Sequence, residues 1–271
     1  MARLLFGHVM ANGLKINYYR TGGEKPAVVL LHGLADYGLS WTRFPLFLEP
    51  SYDVVMVDLR GHGMSAKPET GYQAEEMADD IFWVIRTLNL QKPVIIGHSM
   101  GAWVAAVLAQ NNPNLISGVV LEDPFWKSDK EDVKNSYRWT TEEFKNWIRE
   151  IKSKSLDEIM AISASNNPSW DPVEFKQWAK GKQMVSLHAA QWLDAPTAHW
   201  QEVAASLKVP GLLLHSEVER GGSVTPTVAK QVASLWKQGE TVHFPGAGHN
   251  IHREQYYKFR DVTKLFLRYH L

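Results

Sequence analysis

The sequence predicts an α/β protein: a mostly parallel sheet flanked by helices, interrupted once by an inserted helical segment. Three observations carry this. Short, almost wholly apolar runs recur along the chain, as strands covered on both faces require. Stretches with helical spacing separate them, which implies parallel strands joined by crossover helices. The alternation lapses after Leu121 and resumes near Val209, and the roughly 80 residues between are too many for a plain connection.

In chain order, residues 4–10 and 14–19 flank Ala11-Asn12-Gly13 and read as a hairpin, because Asn-Gly accepts the positive φ of a tight turn. Residues 27–31, 53–57, 93–96, 116–121, 211–214 and 241–244 are the remaining strands, which makes eight. Residues 73–88 place Met77, Ile81, Val84, Ile85 and Leu88 at helical spacing behind an acidic first turn, which suits the helix dipole. Residues 100–110 are alanine-rich and apolar nearly all round, as in a buried helix. The interrupting segment holds seven of the eleven tryptophans, at 126, 139, 147, 170, 178, 192 and 200, and is helical over stretches such as 141–151. Residues 1–124 and 206–271 are therefore expected to form the core, and 125–205 a helical cap over the end of the sheet.

Composition narrows the function. Lysine plus arginine equals aspartate plus glutamate at 29 each, so nucleic acid and anionic membrane surfaces, which need basic patches, are not expected partners. The absence of cysteine excludes disulfides, thiolate metal sites and a cysteine nucleophile. No apolar run approaches the ~18 residues of a membrane span, and residues 1–10 lack the apolar length of a signal peptide. The expectation is a cytoplasmic monomer or homodimer acting on a small molecule, with no metal or organic cofactor.

The chemistry centres on Gly97-His98-Ser99-Met100-Gly101, which follows strand 93–96 directly and opens helix 100–110. A serine between two glycines at a strand–turn–helix junction is a nucleophile elbow, its hydroxyl thrust out of a sharp turn. Such a nucleophile needs two backbone donors for the developing oxyanion, here Met100 and, after His32-Gly33, Leu34. Its base comes last in the chain, and His249 stands in the glycine-rich loop 245–250 behind the final strand. Three carboxylates could orient that base: Glu219 and Glu217 in the loop after strand 211–214, and Asp123 at the end of strand 116–121. Glu219, deeper in its loop, is the first choice. His32, Trp126 and Trp192 are candidates for contact with substrate, against the alternative that these side chains only pack or brace the fold.

The His32-Gly33 turn, the serine elbow and the late histidine, in this order, resemble the α/β-hydrolase superfamily, in its serine esterase and lactonase branch. Residues 58–65, Asp-Leu-Arg-Gly-His-Gly-Met-Ser, resemble that family's D-x-R-G-x-G-x-S segment and imply scaffold rather than catalysis. Residues 214–226 resemble the acid-bearing "G-x-x-D…V-x-P" segment, with Ser216 in the glycine slot, so the resemblance implies Glu219 as the acid. The sequence departs from it in having Glu for Asp and in the extra Gly221-Gly222. The resemblance covers nearly the whole chain except the cap.

Serine at the elbow points to attack on an acyl carbon and an acyl-enzyme that water cleaves. A carboxylic ester or lactone with an apolar or aromatic group fits a tryptophan-rich cap. The alternatives on the same triad are C–C bond hydrolysis, amide hydrolysis, and haloperoxidase or lyase chemistry without a cofactor. From another class comes a ligand receptor or slow-hydrolase sensor.

Overall fold

The computed structural model describes residues 4–126, 139–194 and 200–271. The elements run β1 (Leu5–Ala11), β2 (Leu14–Arg20), β3 (Ala27–Leu31), α1 (Phe44–Leu48), β4 (Asp53–Val57), α2 (Ala74–Thr87), β5 (Val94–His98), α3 (Met100–Asn111) and β6 (Gly118–Glu122). Then follow α4 (Thr141–Lys152), α5 (Leu156–Asn166), α6 (Val173–Met184), α7 (Trp200–Ser206), β7 (Gly211–His215), α8 (Pro226–Leu235), β8 (Gly239–His243), α9 (Ile251–Glu254) and α10 (Tyr256–His270).

The eight strands form one sheet in the order β1-β2-β4-β3-β5-β6-β7-β8. The β1–β2 hairpin pairs Leu5 with Arg20 through Ala11 with Leu14. Asn12 and Gly13 both take positive φ, 50° and 75°, as a two-residue turn of that hand demands. β2 joins β4 antiparallel, and every pairing from β4 to β8 is parallel. Strands β3 to β7 are buried along their whole length, which is why they read as unbroken apolar runs.

Alternate side chains of each strand feed two apolar layers. Val29, Leu31, Ile95 and Leu121 pack under α2 and α3, while Leu30, Ile96, Val120 and Leu214 pack under α1, α9 and α10. Each aliphatic side chain so enclosed contributes roughly 1.5–3 kcal/mol. α3 is buried from Met100 to Ala109, which accounts for its lack of a polar face. Helices α4 to α7 fall between β6 and β7. α4 and α5 start at reciprocal caps, Thr140 with Glu143 and Ser155 with Glu158.

The order reverses direction at β3: β4 lies on one side of it and β5 on the other. The carboxyl ends of neighbouring strands diverge at such a point and leave a crevice. His32 and Ser99 stand immediately beyond the ends of β3 and β5. One contact makes this junction unforgiving. A Cβ on Gly101 would lie 2.3 Å from the Leu31 carbonyl oxygen and 2.6 Å from that of His32, both backbone atoms. Gly101→Ala is expected to lower stability by on the order of 3 kcal/mol, as overpacking against immovable backbone does. Urea unfolding of the variant beside wild type measures it, and a change within error would show that β3 and α3 can part freely.

Candidate active site

Ser99 is held at φ 52° and ψ −114°, a strained backbone conformation for a residue with a side chain. Such a residue costs about 1–3 kcal/mol and persists only where its surroundings impose it. Here the Ser99 amide donates to the Glu122 carbonyl at 2.9 Å, and its own carbonyl accepts from Ala102 and Trp103 as α3 begins. A Cβ on Gly97 would lie 2.3 Å from the Gly101 carbonyl oxygen, so the turn closes only with glycine at both flanks.

Loop 32–36 faces Ser99 from the end of β3, held by two buried histidines. The Leu59 amide donates to His32 Nε2 at 3.0 Å, so His32 Nδ1 carries the proton and donates to the Gly33 carbonyl at 2.8 Å. The Ala35 amide likewise donates to His62 Nε2 at 3.1 Å, and His62 Nδ1 donates to the Arg60 carbonyl at 2.9 Å. Burial pushes His62 down to about 3 and lowers His32 as well, so both rings stay neutral and keep these roles. The Leu34 and Met100 amides find no backbone acceptor among the described residues. His32 is buried, and both its ring nitrogens are used within the scaffold, which accords with the bracing role weighed beside substrate contact. The segment 58–65 is scaffold too. Asp58 accepts from the Gly38 and Met64 amides, and Arg60 grips Asp80 of α2 through two bonds of 2.6 and 2.7 Å.

The carboxylate that meets His249 is Asp123, not Glu219. His249 Nδ1 lies 2.5 Å from Asp123 Oδ2, which leaves Nε2 as the ring nitrogen without a hydrogen-bond partner among the described residues. Asp123, fully buried at φ 43°, also accepts from the Ser223 amide at 2.8 Å and the Val224 amide at 3.1 Å. The loop after β7 therefore supplies peptide N–H groups to the acid instead of the acid itself. Gly221 in the left-handed region and Gly222, where a Cβ would meet Ser216 Oγ at 2.5 Å, bend that loop so that the two amides converge. Glu219 is exposed on the outer side of this turn. Glu217 is drawn to the sheet edge, 3.3 Å from His243 Nε2.

Electrostatics follow from this pairing. Burial works against a charged His249, yet the hydrogen bond and charge of Asp123 outweigh it and raise the imidazole above its ordinary value of 6.5. Beneath it, His98 Nε2 donates to the His249 carbonyl at 3.0 Å and so fixes the loop to β5. Buried Glu122 accepts from both the amide and Nδ1 of His252, and burial lifts its carboxyl to about 7. His98, Glu122 and His252 form the one group among the described residues with three potential metal-ligand atoms close together. With Glu122 engaged by His252 and His98 by the His249 carbonyl, the group works as a brace for the histidine loop. No signal in the sequence beyond the apolar context of Glu122 pointed to it.

Ser99 and His249 border one cavity of about 390 Å³. Its far wall comes from the helical insertion: Phe144, Trp139, Trp147, Trp178 and Trp192. Trp192 is one of these wall residues. Trp126 is not: it is fully buried in the core, between Trp103 at 5.8 Å and Trp200 stacked at 5.8 Å.

A family model described as the alpha/beta hydrolase fold matches residues 26–256. The chain belongs to this family. Over 116 residues it is 38% identical to the 2-(acetamidomethylene)succinate hydrolase of Mesorhizobium japonicum, a match spanning 42% of each chain. The chain thus spans well under half the length of that relative at the sequence level. Over 256 residues and 90% of each chain it is 25% identical to the N-formylmaleamate deformylase of Pseudomonas putida. Among solved structures, the N-formylmaleamic acid deformylase of Pseudomonas putida S16 superposes with a TM-score of 0.81 at 23% identity, covering 96% of this chain and 100% of that one. In this alpha/beta hydrolase, no helix among the described residues is long and apolar enough to cross a membrane.

Proposed function

We propose that this alpha/beta hydrolase cleaves a small carboxylic ester or lactone bearing an apolar or aromatic group, through an acyl-enzyme on Ser99. The observation that carries the reading is a strained, outward-turned serine sharing a cavity with a histidine whose far nitrogen is tied to a buried carboxylate. In the first half-reaction Ser99 Oγ attacks the acyl carbon while His249 Nε2 takes its proton. Asp123 holds Nδ1–H and steadies the imidazolium. The Leu34 and Met100 amides, with the N-terminus of α3, stabilise the oxyanion. His249 then returns the proton to the leaving group, and water repeats the sequence to release the acid. The insertion serves as the cap, covering residues 125–205, and its aromatic wall selects the apolar group.

A second reading, hydrolysis of an N-acyl bond, is favoured by the names of the two relatives, one a deformylase and the other acting on an acetamido compound. The same machinery serves both, since each passes through a tetrahedral oxyanion. The test is turnover of p-nitrophenyl esters of short and long acyl chains and of an N-formyl anilide, together with labelling by a fluorophosphonate. Ester turnover with labelling supports the first reading. Anilide preference moves the assignment to amides. A protein that neither turns over nor labels is a receptor or sensor rather than a hydrolase.

The pH dependence has a definite sign. Only neutral His249 can accept the serine proton, and its pKa is raised, so kcat/KM should climb with pH through a midpoint above 6.5. A profile measured from about pH 5 to 9 checks this. A flat profile would remove His249 from the role of base.

A further inference from the structure

The wall of the cavity beside loop 32–36 carries three buried charges that the hydrolytic machinery does not use: Asp36, Lys182 and Arg253. Asp36 Oδ1 takes Lys182 Nζ at 2.6 Å and Asp36 Oδ2 takes Arg253 Nη2 at 2.7 Å. One carboxylate thus divides itself between two cations. Arg253 has further partners in Asn250 Oδ1 at 2.6 Å, the Ser40 carbonyl at 3.3 Å and the Trp170 ring at 4.9 Å; its Nε, without a hydrogen-bond acceptor among the described residues, has Glu174 3.9 Å behind it and outside the cavity wall. Lys182 has fewer. Its ammonium has three donors, and Asp36 is its one hydrogen-bond acceptor among the described residues, with the Trp178 ring at 4.4 Å on another side.

The placement of Lys182 is built in. A Cβ on the preceding Gly181 would lie 2.9 Å from the Ala35 carbonyl oxygen and 3.1 Å from Asp36 Cα. Only glycine lets α6 rest directly on the oxyanion-side loop, and that contact delivers the next side chain into the cavity. A buried ammonium with spare donors and half a counter-ion gains from a second anion, since unbalanced charge in a water-poor site is costly. Burial and the Arg253 charge, opposed by Asp36, hold the Lys182 ammonium below its ordinary range, as expected of a cation short of an anion.

We infer that Lys182, backed by Arg253, is the recognition site for a carboxylate on the substrate, so that the cavity takes an aromatic or apolar acid monoanion with its scissile bond at Ser99. The inference rests on the hydrolase reading only for the placement of that bond. Binding tests it independently of turnover, because four cavity tryptophans report occupancy by their fluorescence. Phenylacetate and its neutral isostere phenylacetamide are titrated into wild type, Lys182→Met and Lys182→Arg, with thermal melts to check folding. Wild type should bind the acid about tenfold or more tightly than the amide, the scale of a charge-assisted hydrogen bond. Lys182→Met should erase that ratio, and Lys182→Arg should keep it. Equal binding of acid and amide by wild type overturns the inference, as does a ratio that survives in a folded Lys182→Met. Such a result with fluorophosphonate labelling intact sinks the subsite alone, whereas selective acid binding without labelling sinks the hydrolase reading alone.

Discussion

Ser99→Ala should lose both ester turnover and fluorophosphonate labelling, with kcat reduced by about 10⁴-fold or more. The size follows from the way the parts depend on one another. Without the hydroxyl, His249 has no proton to move, and the Leu34 and Met100 amides stabilise an oxyanion that forms only by direct attack of water. What survives is binding plus two donors, the residual seen when a nucleophile is deleted from a triad. Alanine also relieves none of the backbone strain, since φ 52° is set by the flanking glycines and by the Glu122 carbonyl. The variant should therefore fold as wild type does, and a rate within about tenfold of wild type would point to another nucleophile.

Asp123→Asn should cost about 10⁴-fold in kcat, because an amide cannot fix the reactive tautomer or balance the imidazolium. It also carries a second signature. Burial depresses His249, and the Asp123 bond and charge, helped by the charges of Glu122 and Glu254, reverse the sign. With the Asp123 bond and charge removed, the acid limb of the pH profile should move to lower pH while the plateau collapses. Glu219→Gln and Glu217→Gln should stay within a few-fold of wild type, since neither carboxylate reaches His249. Steady-state kinetics of the three variants across pH decide the matter. A severe loss at Glu219 would return the acid to the loop after β7.

Much of this was legible in the chain because it is local. The elbow is five consecutive residues between an apolar strand and an apolar helix, and the His249 loop announces itself by its glycines and its place near the end. The five inner strands, β3 to β7, follow from apolar runs that burial on both faces enforces. The acid was not legible, because Asp123 and Glu219 both stand at the ends of neighbouring strands, β6 and β7. Which of them reaches His249 depends on how the chain turns after each strand. The paired glycines at 221–222 marked an altered loop but not the direction in which it would fold. His32 stayed open between substrate contact and bracing for a related reason: its partner, the Leu59 amide, comes from the neighbouring strand's loop. The Asp36–Lys182–Arg253 cluster joins residues up to 217 positions apart, and no spacing rule could assemble it.

The loop after β7 touches the acid through the peptide groups of Ser223 and Val224 alone, the Ser223 hydroxyl standing 3.5 Å from His249 Nδ1. A peptide N–H is common to every residue type but proline. Residues 218–220 can accordingly drift in sequence, or be randomised in a library, with little effect on the chemistry. The count of residues between β7 and α8 has no such latitude: one insertion or deletion would carry both amides away from Asp123 and cost nearly as much as replacing the acid itself. Here the catalytic specification is written in the length of the chain rather than in its letters.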